Sequence, residues 1–173
     1  GAARIAPLGA LTQGLGGEQL SGMAALAAAG CPALRDGAQP VTDSLVLRRA
    51  LDYASTFSLP GLLTPVDPDL AQGCLSEGPT ATRLGLPGIP AAAETAGLGR
   101  QLAVAGATGA RVHFGRISSA DGVRLLAGAL RENPALSADA AIHQLFLTEQ
   151  DAMDYDPRFH LAPPLRDIVD REA

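Results

Sequence analysis

Short apolar segments alternate with stretches of helical periodicity from residue 4 to residue 142, and this alternation constrains the fold more than any other feature of the chain. Arg4 to Leu11 reads as a first extended segment, and Glu18 to Ala29 as a helix with apolar residues at 20, 23, 26 and 27, stopped by Gly30. Pro32 to Leu34 reads as a second strand. The helix after it is capped by Thr42 or Asp43 and runs through Tyr53, with Leu45, Val46, Ala50 and Tyr53 facing the core. Leu59 to Thr64 makes a third strand, and Pro65 to Pro87 a long irregular stretch of the kind that is often functional. A helix from Pro90 to Ala107, with Pro at its start and Gly109 beyond its end, follows the usual helix asymmetry. Arg111 to Arg116 as a strand, Ser119 to Arg131 as a helix and Leu136 to Ile142 as a strand complete the series.

Crossovers of this length imply parallel strands, in either a doubly wound sheet or a (β/α) barrel. No glycine-rich dinucleotide fingerprint follows a strand, since Gly14-Leu-Gly-Gly17 lacks the GxGxxG spacing. That favours an α/β chain forming part of a (β/α)8 barrel, with about five parallel strands. A complete barrel takes about 250 residues, so residues 1–173 are expected to be the central segment of one barrel domain, with its other parts outside this sequence. An open half-barrel exposes strand edges, which points to oligomeric assembly or to missing strands.

The composition narrows the chemistry. Four Phe, two Tyr and no Trp leave the core to Leu, Ala and Val. All 13 basic residues are Arg, which excludes a Schiff-base, carboxylated or phosphate-loop lysine. A net charge of -5 gives no reason to expect nucleic acid or an anionic membrane surface. No apolar run approaches the roughly 20 residues of a membrane helix, and Gly1 to Ala10 does not read as a signal peptide. A cytoplasmic protein is the default reading. Cys31 and Cys74, without CxxC spacing, suit neither a zinc ribbon nor a disulfide scaffold.

In a barrel, chemistry sits at the carboxyl ends of the strands and in the loops that follow. The residues so placed are Asp36, Thr64 with Asp67, His113 with Arg116, and Ile142 with His143. His113, His143 and His160 are the only histidines, and none pairs as HxH, HxxxH or HExxH, so this segment alone offers no zinc set. His113 between Val112 and Phe114 fits a buried histidine with a satisfied hydrogen bond, and Asp67 fits a turn or a cap. Arg116 suits either an anion or a structural pairing with Asp139 or Asp121. The spacing supports no Ser-His-Asp or Cys-His arrangement.

Several blocks go beyond spacing. Pro7 to Leu15, Leu84-Gly-Leu-Pro-Gly-Ile-Pro90 followed by Glu94, Gly109 to His113, Leu147-Thr-Glu149, Tyr155 to Phe159 and Pro163-Pro-Leu-Arg166 together resemble the dihydroorotases, type I branch of the amidohydrolase superfamily. The resemblance implies a (β/α)8 metal-dependent hydrolase interconverting carbamoyl aspartate and dihydroorotate in pyrimidine biosynthesis. It also implies zinc held by an HxH pair, an acid or carboxylated lysine, two later histidines and an aspartate. Carried over residue by residue, Thr64 and Arg116 fall where metal-binding histidines belong, Asp36 falls near the bridging acid, and Ala162 replaces a substrate-binding Asn. Arg is charged at working pH and has no acceptor, so it cannot ligate zinc. The pattern is similar to that of catalytically silent dihydroorotase homologues bound to aspartate transcarbamoylase, which implies a pseudoenzyme without cofactor in an assembly role. The alternative is an active zinc hydrolase that draws ligands from elsewhere and from His113, His143 and Asp36. A third reading is a small-anion binder using Arg116 and Arg166.

Overall fold

A computed structural model describes residues 3, 5–37 and 39–173. Five parallel strands form one sheet in the order β1 (Gly9–Ala10), β2 (Leu34–Arg35), β3 (Gly61–Leu63), β6 (Val112–Phe114) and β7 (Leu136–Ala138). Their spatial order follows their chain order without reversal, as in an arc of a barrel wall. The chain is α/β with parallel strands alternating with helices. A separate two-stranded parallel sheet, β4 (Leu75–Ser76) with β5 (Gly88–Ile89), lies between β3 and β6 in the chain.

The helices are α1 (Met23–Ala28), α2 (Ser44–Ser55), α3 (Pro79–Leu84), α4 (Ala91–Thr108), α5 (Ala120–Glu132) and α6 (Ile168–Glu172). Along the outer side, α2 packs beside α4 and α4 beside α5. Leu63, Val112 and Phe114 point from the strands into the core that Leu47, Leu51, Leu98, Ala105 and Leu126 supply from those helices. Strand side chains alternate between faces, so the register row Leu62, His113 and Ser137 lies on the opposite, inner face. α4 approaches closely at Gly97, where a Cβ would sit 2.5 Å from the backbone of Val66. Only glycine permits that contact, which seats the start of α4 against the segment leaving β3.

The elements differ from the sequence reading in definite ways. Pro65 to Pro87 is not irregular: it holds β4 and α3, and α3 carries Pro79 at its start and Gly85 in the left-handed cap. The core face of α2 is Leu47, Ala50, Leu51 and Ala54, while Leu45 is exposed and Val46 and Tyr53 are partly buried. Two adjacent registers of apolar residues competed there, and contact with α4 selects one. Asp43 caps α2, its side chain accepting the N–H groups of Leu45 and Val46. The first helix begins at Met23, because Leu20 is drawn into a bridge with Thr12. The second strand pairs only from Leu34, beyond Pro32, which has no N–H to donate. β7 ends at Ala138, with Ile142 opening a 3-10 turn, Ile142–Leu145. The first strand is confined to Gly9–Ala10, and Arg4 lies outside the described residues.

Candidate functional site

The carboxyl ends of β3 and β6 open into a cleft of about 290 Å³, walled by Thr64, Pro65 and Val66 after β3 and by Gly115 and Arg116 after β6. The segment from His160 to Pro164 lies across it, with Gln39 and Pro40 at one side. This is the end of the strands where barrel chemistry is built.

Thr64 is clamped by its backbone. Its N–H donates to Asp36 Oδ2 at 3.3 Å, and its carbonyl accepts Gln101 Nε2 at 2.9 Å. Asp36, just beyond β2, is 1% exposed, and its Oδ1 has no hydrogen-bond partner. Burial pushes its carboxyl up to about 6, against the opposing pull of the Thr64 N–H. Asp67 turns back on its own loop, its Oδ1 accepting the N–H groups of Asp69 and Leu70.

Arg116 has φ 64, a left-handed backbone that is unfavourable for a residue with a long side chain. The conformation is held by Asp139, whose Oδ1 accepts the Arg116 N–H at 2.7 Å. The guanidinium reaches over the cleft and donates from Nη1 to the Ala162 carbonyl at 2.7 Å. Asp139 and Asp121 are therefore not its salt partners: Asp139 takes the backbone N–H, and Asp121 pairs with Arg124.

His113 uses both ring nitrogens, Nε2 with Asp139 Oδ2 and Nδ1 with Ser137 Oγ, each at 2.9 Å. The His113 bond, followed by the Arg116 N–H, holds the Asp139 carboxylate below the usual range. The spacing argument missed this Ser137, His113, Asp139 chain, because its members come from two strands brought together by parallel register. His113 is partly exposed on the inner face, with both nitrogens engaged, and not a buried residue with one bond. His143 stands apart from the cleft in the 3-10 turn, with Nε2 buried and unpartnered.

The blocks read in the sequence as most distinctive converge below the cleft. Glu94, in the first turn of α4, accepts the N–H and hydroxyl of Ser118 on Oε2 at 2.8 and 2.6 Å, and those of Ser119 on Oε1 at 2.9 and 2.6 Å. Arg166 donates to Ser118 Oγ, to Ser76 Oγ and to the Ile89 carbonyl. Both ends of this knot are 3% exposed. Burial pulls the Arg166 guanidinium down from its ordinary range, while the charges of Glu94, Asp170 and Asp167 hold it up. Two further ties fasten the returning segment: Thr80 donates to Glu149 at 2.7 Å, and the Tyr155 hydroxyl to the Leu84 carbonyl at 2.8 Å. In the sequence Glu94 stood out only as the acid that follows the Leu84 to Pro90 block.

A zinc ion needs three or four converging N, O or S donors. Among the described residues no group of three or more His, Cys, Asp or Glu side chains could hold one. At the cleft itself Thr64, Arg116, Glu94 and His160 are among the lining residues; the Glu94 oxygens are taken up by Ser118 and Ser119, and the Arg116 cation opposes a metal. Among the described residues, the side chains of this segment do not by themselves make up a zinc set. Among the described residues, no helix is long and apolar enough to cross a membrane.

No family model matches the chain. It is 45% identical over 174 aligned residues to a dihydroorotase-like protein of Pseudomonas aeruginosa, an alignment covering all of this chain and 41% of that protein. It is 41% identical to a dihydroorotase of Syntrophobacter fumaroxidans, over all of this chain and 40% of the relative. Among solved structures, an L-hydantoinase (dihydropyrimidinase) from Arthrobacter aurescens superposes with a TM-score of 0.75 at 16% identity, covering 96% of this chain and 39% of that one. A D-hydantoinase gives 0.70 at 19% identity, over 87% of this chain and 35% of that one. These likenesses support the fold of a partial barrel, and the chain spans about two fifths of the length of the curated relatives it matches. With five parallel strands in barrel order, the chain is similar along its whole length to part of the dihydroorotases and dihydroorotase-like proteins, the family its sequence blocks resemble.

Proposed function

We propose that this segment comes from a catalytically silent dihydroorotase-like barrel, a cytoplasmic assembly subunit for aspartate transcarbamoylase in pyrimidine biosynthesis. The observation that carries the reading is Arg116. By the family resemblance it stands at a metal-ligand position, and its guanidinium projects over the cleft to the Ala162 carbonyl. Thr64 stands at a second such position and Ala162 at a substrate-binding one. Zinc supplies the attacking hydroxide of such hydrolases by lowering the pKa of bound water to about 7. A positive side chain at that place opposes the cation. The partner follows from the resemblance alone.

Two experiments test this. Mixed with aspartate transcarbamoylase at micromolar concentration, the whole protein is expected to co-elute as a stable complex, and separate elution would remove the assembly role. Thr64→His with Arg116→His is expected to raise the zinc content of the whole protein. Unchanged metal content would count against the carried-over positions. A second reading, an active zinc dihydroorotase, is favoured by the relatives that bear the name dihydroorotase. It requires ligands from beyond this segment.

A further inference from the structure

Arg116 combines two features that are seldom joined without a reason. Its backbone occupies a left-handed conformation, φ 64, and such conformations persist where the surroundings impose them. Here a hydrogen-bonded series imposes it: Ser137 Oγ meets His113 Nδ1, His113 Nε2 meets Asp139 Oδ2, and Asp139 Oδ1 accepts the Arg116 N–H. The result of this three-residue support is to direct one guanidinium over a cleft.

That guanidinium is largely unspent. Of its five N–H donors, one goes to the Ala162 carbonyl, and among the described residues no carboxylate pairs with it. The other cation at the cleft is spent, since Arg166 is buried and divided among Ser118, Ser76 and Ile89. Glu94 is spent too, its oxygens saturated by Ser118 and Ser119. Among the described residues, Arg116 is therefore the one arginine of the cleft left available, with Thr64, Gln39 and His160 in the same lining and the apolar faces of Pro65 and Val66 around it. Its volume, about 290 Å³, suits a ligand of a few carbons.

We propose that this cleft binds a small organic carboxylate, with Arg116 as the gripping residue and Asp139 as its positioning residue. A planar guanidinium matches a carboxylate through two parallel N–H···O bonds. A single available cation neutralises one negative charge, so a carboxylate fits better than a phosphate dianion. The proposal rests on the reading above that no metal occupies the ends of β3 and β6.

The test is titration calorimetry of the whole protein with succinate, with inorganic phosphate as the comparison and zinc content measured on the same sample. Saturable succinate binding is expected, weakened roughly tenfold or more in Arg116→Gln, which keeps length and polarity but removes the fork. Asp139→Asn is expected to weaken binding in the wild-type background and to add no further loss on top of Arg116→Gln. A role in folding alone would not produce that coupling. Undiminished binding in Arg116→Gln, or tighter binding of phosphate than of succinate, would overturn the proposal. A zinc-free sample that binds no succinate would overturn it and leave the silent-barrel reading standing. Zinc in the sample, with succinate binding lost on chelation, would overturn both.

Discussion

Glu94 and Arg166 meet through one hydroxyl: Ser118 Oγ donates to Glu94 Oε2 at 2.6 Å and accepts from Arg166 Nε at 3.3 Å. A carboxylate and a guanidinium are both taken out of water here, and each tolerates burial because the other charge and the intervening donors replace its hydration. Through this contact the start of α4, the turn before α5 and the Pro163 to Arg166 segment become one unit, which fixes the floor of the cleft.

Removing one end of that unit leaves the other buried and uncompensated. Glu94→Ala is expected to cost about 3–5 kcal/mol of folding stability, read as a lowered midpoint in urea unfolding followed by circular dichroism. Glu94→Leu combined with Arg166→Met, which deletes both charges, is expected to recover part of that loss. A double variant less stable than Glu94→Ala would contradict the compensation.

Two glycines of α5 separate close packing from helix propensity. A Cβ on Gly122 would lie 2.2 Å from Glu94 Oε1, whereas one on Gly128 meets nothing within 4 Å. Gly122→Ala is therefore expected to destabilise by about 1–3 kcal/mol, and Gly128→Ala to stabilise by about 0.5–1 kcal/mol. Thermal melts of the two variants should move in opposite directions. A shift of the same sign in both would mean that Glu94 is not seated as described.

Asp36 makes stability depend on pH in a direction opposite to that of a salt-bridged acid. Its carboxyl sits at about 6 in the folded chain against an ordinary value of 3.8, because burial penalises the charged form. The folded state thus holds this proton more tightly than the unfolded state. Its contribution is fully present below the unfolded value and is lost as pH rises through about 6. Asp36→Asn is expected to flatten the stability profile across that window and to stabilise the protein at pH 7 by up to roughly 3 kcal/mol. Urea midpoints at pH 4.5 and pH 7.5 check this, and an unchanged pH slope in the variant would contradict it.

Much of the architecture was legible because period and punctuation are local properties. Asp43 before α2, Ser119 before α5 and Gly109 after α4 mark their boundaries in the sequence as they do in the structure. α3 was hidden, since six residues hold too few turns to establish a period amid nearby Gly and Pro. Which face of α2 is buried depends on α4, so Leu45 could not be told from Leu47 in advance. The cleft was legible in part: strand-end position pointed to Thr64 and Arg116, and both line it. Asp139 was named only as a partner for the Arg116 charge, and its bond to the Arg116 backbone depends on a left-handed turn with no sequence signature. The partnership of Ser137 with His113 is set by strand register, which pairs residues far apart in the chain.

We propose that this barrel has exchanged metal chemistry at Thr64 and Arg116 for a site without zinc. The most direct measurement is zinc content per chain of the whole protein, purified without chelator and assayed in parallel for dihydroorotate hydrolysis. The account predicts zinc far below one equivalent and no turnover above the buffer rate. One or two equivalents of zinc together with turnover would contradict it.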